Sequence, residues 1–237
     1  MPVHLFGQAA NIEALQAIAK KHNIHYIEDA CQAHGAKYGG QYVGSHGELS
    51  CFSFYPTKNL GTYGDGGAVL TDDEELYSKC KLYRNYGQKT RYDHQIKGLN
   101  SRLDEMHAAI LRAKLKHLDK WVSARCEIAK KYTEKLSKIT QITLPKERAE
   151  GEHAYHLYVI EAPKRDELKA YMAEQGVEAI IHYPIPIHQQ KCYEEIQVSL
   201  PRTEDAAKHL LSLPIHPFIT DEEIDKVCES INSFYSL

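Results

Sequence analysis

The first half of the chain alternates short apolar runs with helical stretches, and this alternation restricts its fold more than any other feature. The predicted strands are residues 1–7, 25–30, 49–54 and 68–70. Between the first two, residues 11–21 place Ile12, Leu15 and Ile18 at helical spacing behind the N-cap residue Asn11. Strands separated by helices pair in parallel, so the pattern predicts an α/β fold with a mostly parallel sheet.

Helical periodicity dominates the middle of the chain. Thr71-Asp72-Asp73-Glu74 has the form of a capping box and predicts a helix start. Residues 102–139 are almost wholly helical in pattern, and a stretch of this length is expected to bend or break. We place a domain boundary there, which gives a large domain at 1–120 and a small C-terminal domain at 121–237.

The second half predicts a small α+β domain. Its predicted strands are residues 156–160 and 177–181, and residues 166–175 form a predicted helix with Gly176 at its C-terminal end. Thr220-Asp221-Glu222-Glu223 is a second capping box, and it precedes an amphipathic C-terminal helix.

Composition excludes several classes of protein. The net charge is −3, and no basic stretch suggests nucleic-acid binding. No apolar run is long enough for a membrane span, and the N-terminus lacks the pattern of a signal peptide. Six scattered cysteines without a C-x-x-C pair indicate reduced thiols, so we expect a cytoplasmic protein. Cys31 and His34 form half of a zinc pattern with no second half, so no metal site is predicted.

Lys58 and Asp29 are the residues with the clearest chemical potential. Lys58 lies in a loop after a predicted strand, between Pro56 and a glycine cluster, and Asp29 ends another predicted strand. Strand ends are where α/β folds bind ligands. A buried lysine can form a Schiff base, and a carboxylate can keep a pyridine nitrogen protonated. Together they are the minimum set for pyridoxal phosphate; the alternative is a solvated loop lysine.

Five motifs carry a family resemblance. They are E-D-A-C-Q-A-H-G-A (28–36), C-F-S-F-Y-P-T-K-N-L-G (51–61), G-D-G-G-A (64–68), N-S-R-L-D-E (100–105) and H-Y-P-I-P-I-H (182–188). In order and spacing the chain resembles the DegT/StrS-type nucleotide-sugar aminotransferases, which are pyridoxal-phosphate enzymes of fold type I. The resemblance extends over the whole chain and implies a partial transferase fold of that type with a small C-terminal α+β domain.

The resemblance implies a role for each matching residue. Lys58 would be the Schiff-base lysine and the base that moves the proton. Asp29 would pair with the pyridine nitrogen, and Gln32 would bond the phenolic oxygen of the ring. Ser53 would contact the cofactor phosphate, and Asn100 would reach the phosphate in a neighbouring subunit, so the active unit would be a homodimer with shared active sites.

Other readings of these residues stay open. Tyr55 and His188 are candidates for substrate contact, and the role of His188 is the least defined. Gln32 and Ser53 could be ordinary polar residues at strand ends, and Asn100 could cap the helical stretch that follows. The Gly64–Gly67 cluster lacks the P-loop pattern and favours a tight turn between strands.

The implied reaction moves an amino group from glutamate to a nucleotide-linked keto-sugar. The K-N-L-G, G-D-G-G-A and N-S-R-L-D variants resemble members that act at C3 of dTDP-3-keto-6-deoxyhexoses. Relatives that catalyse dehydration carry histidine in place of the lysine, so Lys58 disfavours that activity. A ligand-binding or regulatory relative without turnover is a non-catalytic alternative, and a serine hydrolase is disfavoured because no G-x-S-x-G motif occurs.

One departure from the family concerns the beginning of the chain. Family members have a substantial segment before the first predicted strand, including a phosphate-binding turn and an aromatic residue that stacks on the cofactor. We therefore expect this chain to represent about the C-terminal two-thirds of such an enzyme. The expected consequences are a sheet with an exposed apolar edge, and an inactive fragment as the alternative to an active enzyme.

Overall fold

The computed structural model describes residues 1–236, which divide into two compact units. Unit 1 comprises residues 1–123 and 147–156, and unit 2 comprises residues 124–146 and the chain from 157 onward. The predicted domains, 1–120 and 121–237, remain a prediction, because a division by internal contacts does not test independent folding.

Unit 1 contains most of the regular structure of the chain. Its strands are β1 Ile27–Asp29, β2 Lys37–Tyr38, β3 Gln41–Tyr42, β4 Leu49–Ser53, β5 Gly67–Leu70, β6 Gln88–Thr90, β7 Asp93–His94 and β8 Gly151–Glu152. Its helices are α1 Ile12–His22, α2 Glu74–Arg84 and α3 Glu105–Leu115, and α4 Leu118–Leu136 begins in this unit. A short 3-10 helix covers Leu5–Gly7.

The central sheet of unit 1 has the order β1-β4-β5. β1 and β4 are parallel, with Asp29 opposite Cys51, and β5 runs antiparallel to β4. The expected parallel pairing is thus present between β1 and β4, and β5 adds an antiparallel strand to the same sheet. On β5, Val69 and Leu70 are 52% and 47% exposed, which gives the sheet the expected apolar edge.

Residues 1–7 do not form the predicted strand. Val3 makes a single parallel bridge to Asp29, and the backbone N–H of His4 donates to the Asp29 carbonyl (3.0 Å). The chain then turns, because Phe6 and Gly7 adopt positive φ angles of 61° and 103°. A strand cannot continue through such a turn.

The helices begin at the predicted capping residues, except that the cap of α2 lies two residues later than predicted. The Asn11 side chain accepts a hydrogen bond from the Ala14 N–H (3.2 Å), which confirms the first cap. Asp73, and not Thr71, caps α2 by accepting from the Leu76 N–H (2.8 Å). Thr71 instead donates its hydroxyl to the Glu48 carbonyl (2.6 Å). The predicted break in residues 102–139 is confirmed between α3 and α4.

Unit 2 is an α+β structure around a two-stranded antiparallel sheet. Its elements are the remainder of α4, β9 Tyr158–Glu161, α5 Arg165–Glu174, α6 Pro201–His209, β10 Leu210–Leu213 and α7 Asp221–Ser236, with 3-10 helices at Ile187–Gln189 and Lys191–Tyr193. The prediction of a strand at residues 177–181 is wrong, because only Ile180 of this segment forms a β-bridge, to Ser212. The capping box before α7 is confirmed: the Thr220 N–H donates to Glu223 (2.8 Å) and the Glu223 N–H to Thr220 (3.2 Å).

Among residues 1–236, no helix has both the length and the apolar character that a membrane crossing requires.

Candidate active site

The candidate site lies where β1 and β4 end. Because these strands are parallel, their carboxyl ends meet at one edge of the sheet. Asp29 is the last residue of β1, and Ser53 is the last residue of β4. The Cys31 N–H donates to Asp29 Oδ1 (3.1 Å), and the Ala30 N–H donates to the Cys51 carbonyl (2.9 Å). These bonds hold the turn after β1 against β4.

Lys58 follows β4 in a tightly closed loop. The Lys58 N–H donates to the Tyr55 carbonyl (2.9 Å), and the Thr62 N–H donates back to the Phe54 carbonyl (2.8 Å). A side chain at Gly61 would place its Cβ 2.5 Å from the Pro56 carbonyl oxygen, so the loop closes only with glycine there. The sequence pattern of proline and glycine around Lys58 therefore corresponds to a loop of defined shape.

The surroundings of Lys58 favour the neutral form of its amine, compared with a lysine in water. Burial lowers the pKa of Lys58, and the neighbouring Cys31 and Asp29 act in the opposite direction. Burial, together with the hydrogen bond and charge of Asp29, raises the pKa of the Cys31 thiol to about 12. Cys31 is therefore a neutral thiol beside an amine and a carboxylate, a neighbour that no sequence pattern indicated.

Gln32 is buried, and its amide orientation is determined by a residue from the beginning of the chain. The Phe6 N–H donates to Gln32 Oε1 (2.6 Å). An amide that accepts through its oxygen presents its NH₂ group on the other side, as a donor. This is the polarity needed to bond an anionic phenolic oxygen, so the structure gives Gln32 a defined orientation that a surface strand-end residue would lack.

The structure does not bring Asn100 into contact with these residues within the chain. Asn100 is exposed, and its side-chain oxygen accepts from Arg102 Nε (3.0 Å). The alternative that it caps the following helix is wrong, since α3 begins at Glu105 and Asp104 occupies the N-cap position. A role for Asn100 in a second subunit stays a prediction.

Ser53, Tyr55 and His188 occupy different surroundings. Ser53 is half-buried, and its hydroxyl accepts from the Tyr55 N–H (3.3 Å). The Tyr55 side chain is 51% exposed on the loop that carries Lys58. His188 belongs to unit 2, where its Nε2 lies 3.0 Å from Glu204 Oε1. Glu204 also accepts from the Leu200 N–H (2.7 Å), so the His188 pair is part of the start of α6.

His34 is a buried residue close to Lys58. The sequence motifs gave it no part in the candidate site. It packs between Phe52 and Phe54, with ring centroids 5.0 and 6.0 Å away. Burial and the charge of Lys58 lower the pKa of His34 to about 4, and the nearby Ser53 backbone only partly opposes this. Neither ring nitrogen makes a well-formed hydrogen bond among the described residues. His34 is therefore neutral at pH 7 and adds no positive charge beside Lys58.

These side chains fit the donor set that pyridoxal phosphate requires. Asp29 supplies a carboxylate, Lys58 an amine of lowered pKa, and Gln32 an oriented amide, all within unit 1. Ser53 adds a hydroxyl at the neighbouring strand end. In contrast, the part of the chain from 1 to 236 contains no group of three or more His, Cys, Asp or Glu side chains arranged to hold a metal ion.

Comparison with known proteins gives one family. A model of the DegT/DnrJ/EryC1/StrS aminotransferase family matches residues 1–232. A protein of Geobacillus stearothermophilus called a pleiotropic regulatory protein is 48% identical over 99% of this chain and 64% of its own length. A dTDP-3-amino-3,4,6-trideoxy-alpha-D-glucose transaminase of Streptomyces venezuelae is 41% identical over 99% of this chain and 62% of its own length.

Solved structures agree with the sequence comparison. The crystal structure of S. venezuelae DesV superposes with a TM-score of 0.96 at 41% identity, and the match covers 100% of this chain and 64% of that one. The chain thus spans somewhat less than two-thirds of the length of the relatives it matches. The expected fold class, a partial fold of the pyridoxal-phosphate-dependent aminotransferases, is confirmed.

Proposed function

The chain belongs to the DegT/DnrJ/EryC1/StrS aminotransferase family, and from this membership we propose that its protein transfers an amino group to a nucleotide-linked keto-sugar with pyridoxal phosphate as cofactor. The observation that carries the proposal is Lys58, a half-buried amine of lowered pKa at the sheet edge where Asp29 ends β1. When bound, pyridoxal phosphate supplies an electron sink that lets an amino group move between carbon skeletons.

We propose the following roles for residues of this chain. Lys58 would hold the cofactor covalently in the resting state, and its Nζ, once released as a free amine, would hold and move the proton. Its lowered pKa supports this role, because a larger fraction of the amine is neutral near pH 7 than for an exposed lysine. Asp29 holds the pyridine nitrogen through its carboxylate, and Gln32 donates from its oriented amide to the ring oxygen.

Phosphate binding is proposed to use two surfaces. Ser53 donates its hydroxyl to the phosphate, which agrees with its position as the last residue of β4. Asn100 serves the site of a second copy, in a homodimer with shared sites. The exposure of Asn100 supports this arrangement, because an exposed amide is accessible to a partner.

The relatives and the sequence motifs support a more specific proposal for the two substrates. We propose glutamate as amino donor and C3 of a dTDP-3-keto-6-deoxyhexose as acceptor position. The name of the S. venezuelae relative, a dTDP-3-amino-sugar transaminase, supports the C3 position. Tyr55 and His188 are the proposed substrate contacts, and a cytoplasmic location is part of the same proposal.

Borohydride trapping tests the proposed function. The purified chain is mixed with pyridoxal phosphate, reduced, digested and examined by mass spectrometry, with a Lys58→Arg variant as control. We expect one dominant pyridoxyl adduct on Lys58, and none at this position in the variant. Equal labelling of many lysines would contradict the proposal. Adding glutamate before reduction should decrease the adduct, because the cofactor carbon would then carry the amine from glutamate and would no longer be bonded to Lys58.

A regulatory function is a second candidate, because the 48% identical relative carries the name of a regulatory protein. In that case Lys58 would still be trapped by borohydride, but neither glutamate nor other amino acids would decrease the adduct. The same experiment therefore separates the two candidates.

A further inference from the structure

Asn59, the residue after Lys58, makes a buried contact to a distant segment of unit 1. Its side chain is 6% exposed, and Nδ2 donates to the Ala154 carbonyl (2.9 Å), 95 positions away in the chain. A donor bonded to a backbone carbonyl identifies this atom as the nitrogen of the amide. The loop that carries Lys58 is thereby tied to residues 153–156.

The same segment also contacts the support of Gln32. The Ala154 N–H donates to the Gly7 carbonyl (2.9 Å), and the Phe6 N–H donates to Gln32 Oε1 (2.6 Å). The Ala154 residue therefore receives Asn59 at its carbonyl and reaches Gly7 through its N–H. These three hydrogen bonds connect the Lys58 loop to Gln32, and we name residues 6–7, 59 and 154 the brace.

Backbone geometry shows that the brace is closely packed. A Cβ on Gly7 would lie 2.8 Å from the His156 nitrogen and 3.1 Å from the Tyr155 nitrogen, so the two backbones touch. Phe6 and Tyr155 both adopt the left-handed region, with φ of 61° and 42°. Such angles are uncommon for aromatic residues and persist where the surroundings impose them.

We propose that Asn59 is a positioning residue that sets the place of Lys58 relative to Gln32 through the brace. This inference rests on the proposed function, in which Lys58 and Gln32 hold one cofactor. Positioning matters there because both groups must reach the same rigid ring, and small displacements of reacting groups are costly. Without the Asn59 bond the loop keeps Lys114, whose Nζ donates to the Gly61 carbonyl (2.6 Å), but loses its link toward Gln32.

The test substitutes Asn59 in the full chain and follows Lys58 in two ways. Asn59→Leu keeps the branched shape and the neutrality of the side chain and removes the donor. Gln16→Ala is the matched control, since Gln16 Nε2 also donates to a backbone carbonyl, of His46 (2.7 Å), at an exposed place. The first readout is the pH profile of Lys58 acetylation without cofactor, and the second is borohydride trapping with pyridoxal phosphate.

In Asn59→Leu we expect the acetylation midpoint of Lys58 to rise toward that of an exposed lysine, because a released loop exposes the amine to water. We expect the pyridoxyl adduct on Lys58 to fall about tenfold, the effect of one buried hydrogen bond. Gln16→Ala should match the parent chain in both. A general loss of stability would lower folding yield without moving the midpoint of the folded fraction.

The inference is overturned if folded Asn59→Leu has the Lys58 midpoint and adduct yield of the parent chain. If Asn59→Leu does not fold, Asn59→Ala, which is smaller and has no side-chain donor, decides by the same criterion. If the parent chain gives no Lys58 adduct, the proposed cofactor binding by this chain fails, whereas the cofactor-free acetylation profile still decides on the positioning role.

Discussion

The two units of this protein have different interiors. Unit 2 is built on large apolar side chains that are fully buried: Tyr132, Leu136, Tyr158, Ile160, Leu168, Met172, Leu211, Ile224 and Ile231. The core of unit 1 uses small residues, with Ala30, Ala33 and Ala36 at 0% exposure. It also contains nine of the thirteen polar residues that are buried within residues 1–236. The unit that contains Lys58 is thus stabilised by polar contacts to a greater extent.

Glu28 is the centre of the polar interior of unit 1. Its carboxylate is fully buried and accepts from five donors: His4 Nε2, Ser50 Oγ and the N–H groups of Gly44, His46 and Gly47, at 2.7–3.0 Å. The Ala10 N–H donates to His4 Nδ1 (3.0 Å), so Nε2 is the ring nitrogen that donates to Glu28. Glu28 precedes Asp29 in β1, and its contacts join β1 to the loop before β4.

The comparison shows two ways of building a stable unit. Apolar packing is non-directional, and it tolerates exchanges that conserve volume. A hydrogen-bonded carboxylate depends on direction and on every partner, and it costs much when one is missing. Rigid polar contacts next to Asp29 suit a site whose groups must hold fixed positions. Three substitutions and a change of pH test this difference between the polar interior of unit 1 and the apolar interior of unit 2.

Glu28→Gln should produce the largest loss. The amide would face donors with its own NH₂ group, leaving buried groups unpaired, and we expect the free energy of unfolding to fall by about 4 kcal/mol. The measurement is urea unfolding followed by fluorescence of Trp121, the one tryptophan of the chain, which belongs to unit 1. Glu48→Gln is the control, because Glu48 pairs with His25 at the exposed surface. A loss below about 1 kcal/mol for Glu28→Gln would refute the role of polar contacts in unit 1.

Leu168→Ala tests the apolar interior of unit 2. Leu168 is fully buried in α5, and its truncation leaves a cavity, so we expect a loss of roughly 3 kcal/mol. Hydrogen exchange of α5 and α7 measures it, with Leu115→Ala, at a 55% exposed position, as control. Leu168→Met, which conserves volume, should recover most of the loss; equal losses for Ala and Met would mean that packing volume is not what matters here.

Acid should destabilise unit 1 in two steps. Burial lowers the pKa of His34 and His153 to about 4. Between pH 6.5 and pH 4 the unfolded chain binds protons that the folded chain does not bind, so the free energy of unfolding falls over this range. Burial by itself would raise the pKa of Glu28, but its hydrogen bonds outweigh this and lower it to about 2. Its contribution, at most about 3 kcal/mol, is complete above pH 4.5 and is lost toward pH 2.

Urea unfolding at successive pH values measures both steps. In Glu28→Gln the lower step should disappear and the upper step should remain. If Glu28→Gln still loses the full free energy of unfolding between pH 4.5 and pH 2, other carboxylates are responsible for that loss.

Surface ion pairs should give the smallest effects. Lys135 lies 2.7 Å from Asp225, and both side chains are nearly half exposed. Solvent and salt screen such pairs, so Lys135→Ala should shift the melting temperature by less than about 2 °C. Differential scanning calorimetry at low and high salt checks this, and a larger shift that salt abolishes would give unit 2 an electrostatic contribution that its apolar core does not suggest.

Local signals in the sequence were sufficient for several elements. Asn11 and Thr220 were correctly identified at helix starts because a cap depends on a few neighbouring residues. β10 was not predicted, because its pairing with β9 joins residues about fifty positions apart and its four residues follow α6 directly. The turn at Phe6 was missed for a similar reason, since only contacts with distant backbone impose a positive φ on that residue.

The sequence by itself determined the family, the parallel pairing of β1 and β4, and the placement of Lys58 and Asp29 at strand ends, because these follow from short patterns of residue type. Only the tertiary structure decided how Gln32 is oriented, which thiol and imidazole lie near Lys58, and what holds its loop. Those properties depend on bonds such as Glu28 to His4, 24 residues apart, and Asn59 to Ala154, 95 residues apart. Sequence patterns report local preference, whereas the direction of a buried polar side chain depends on partners that only folding brings near.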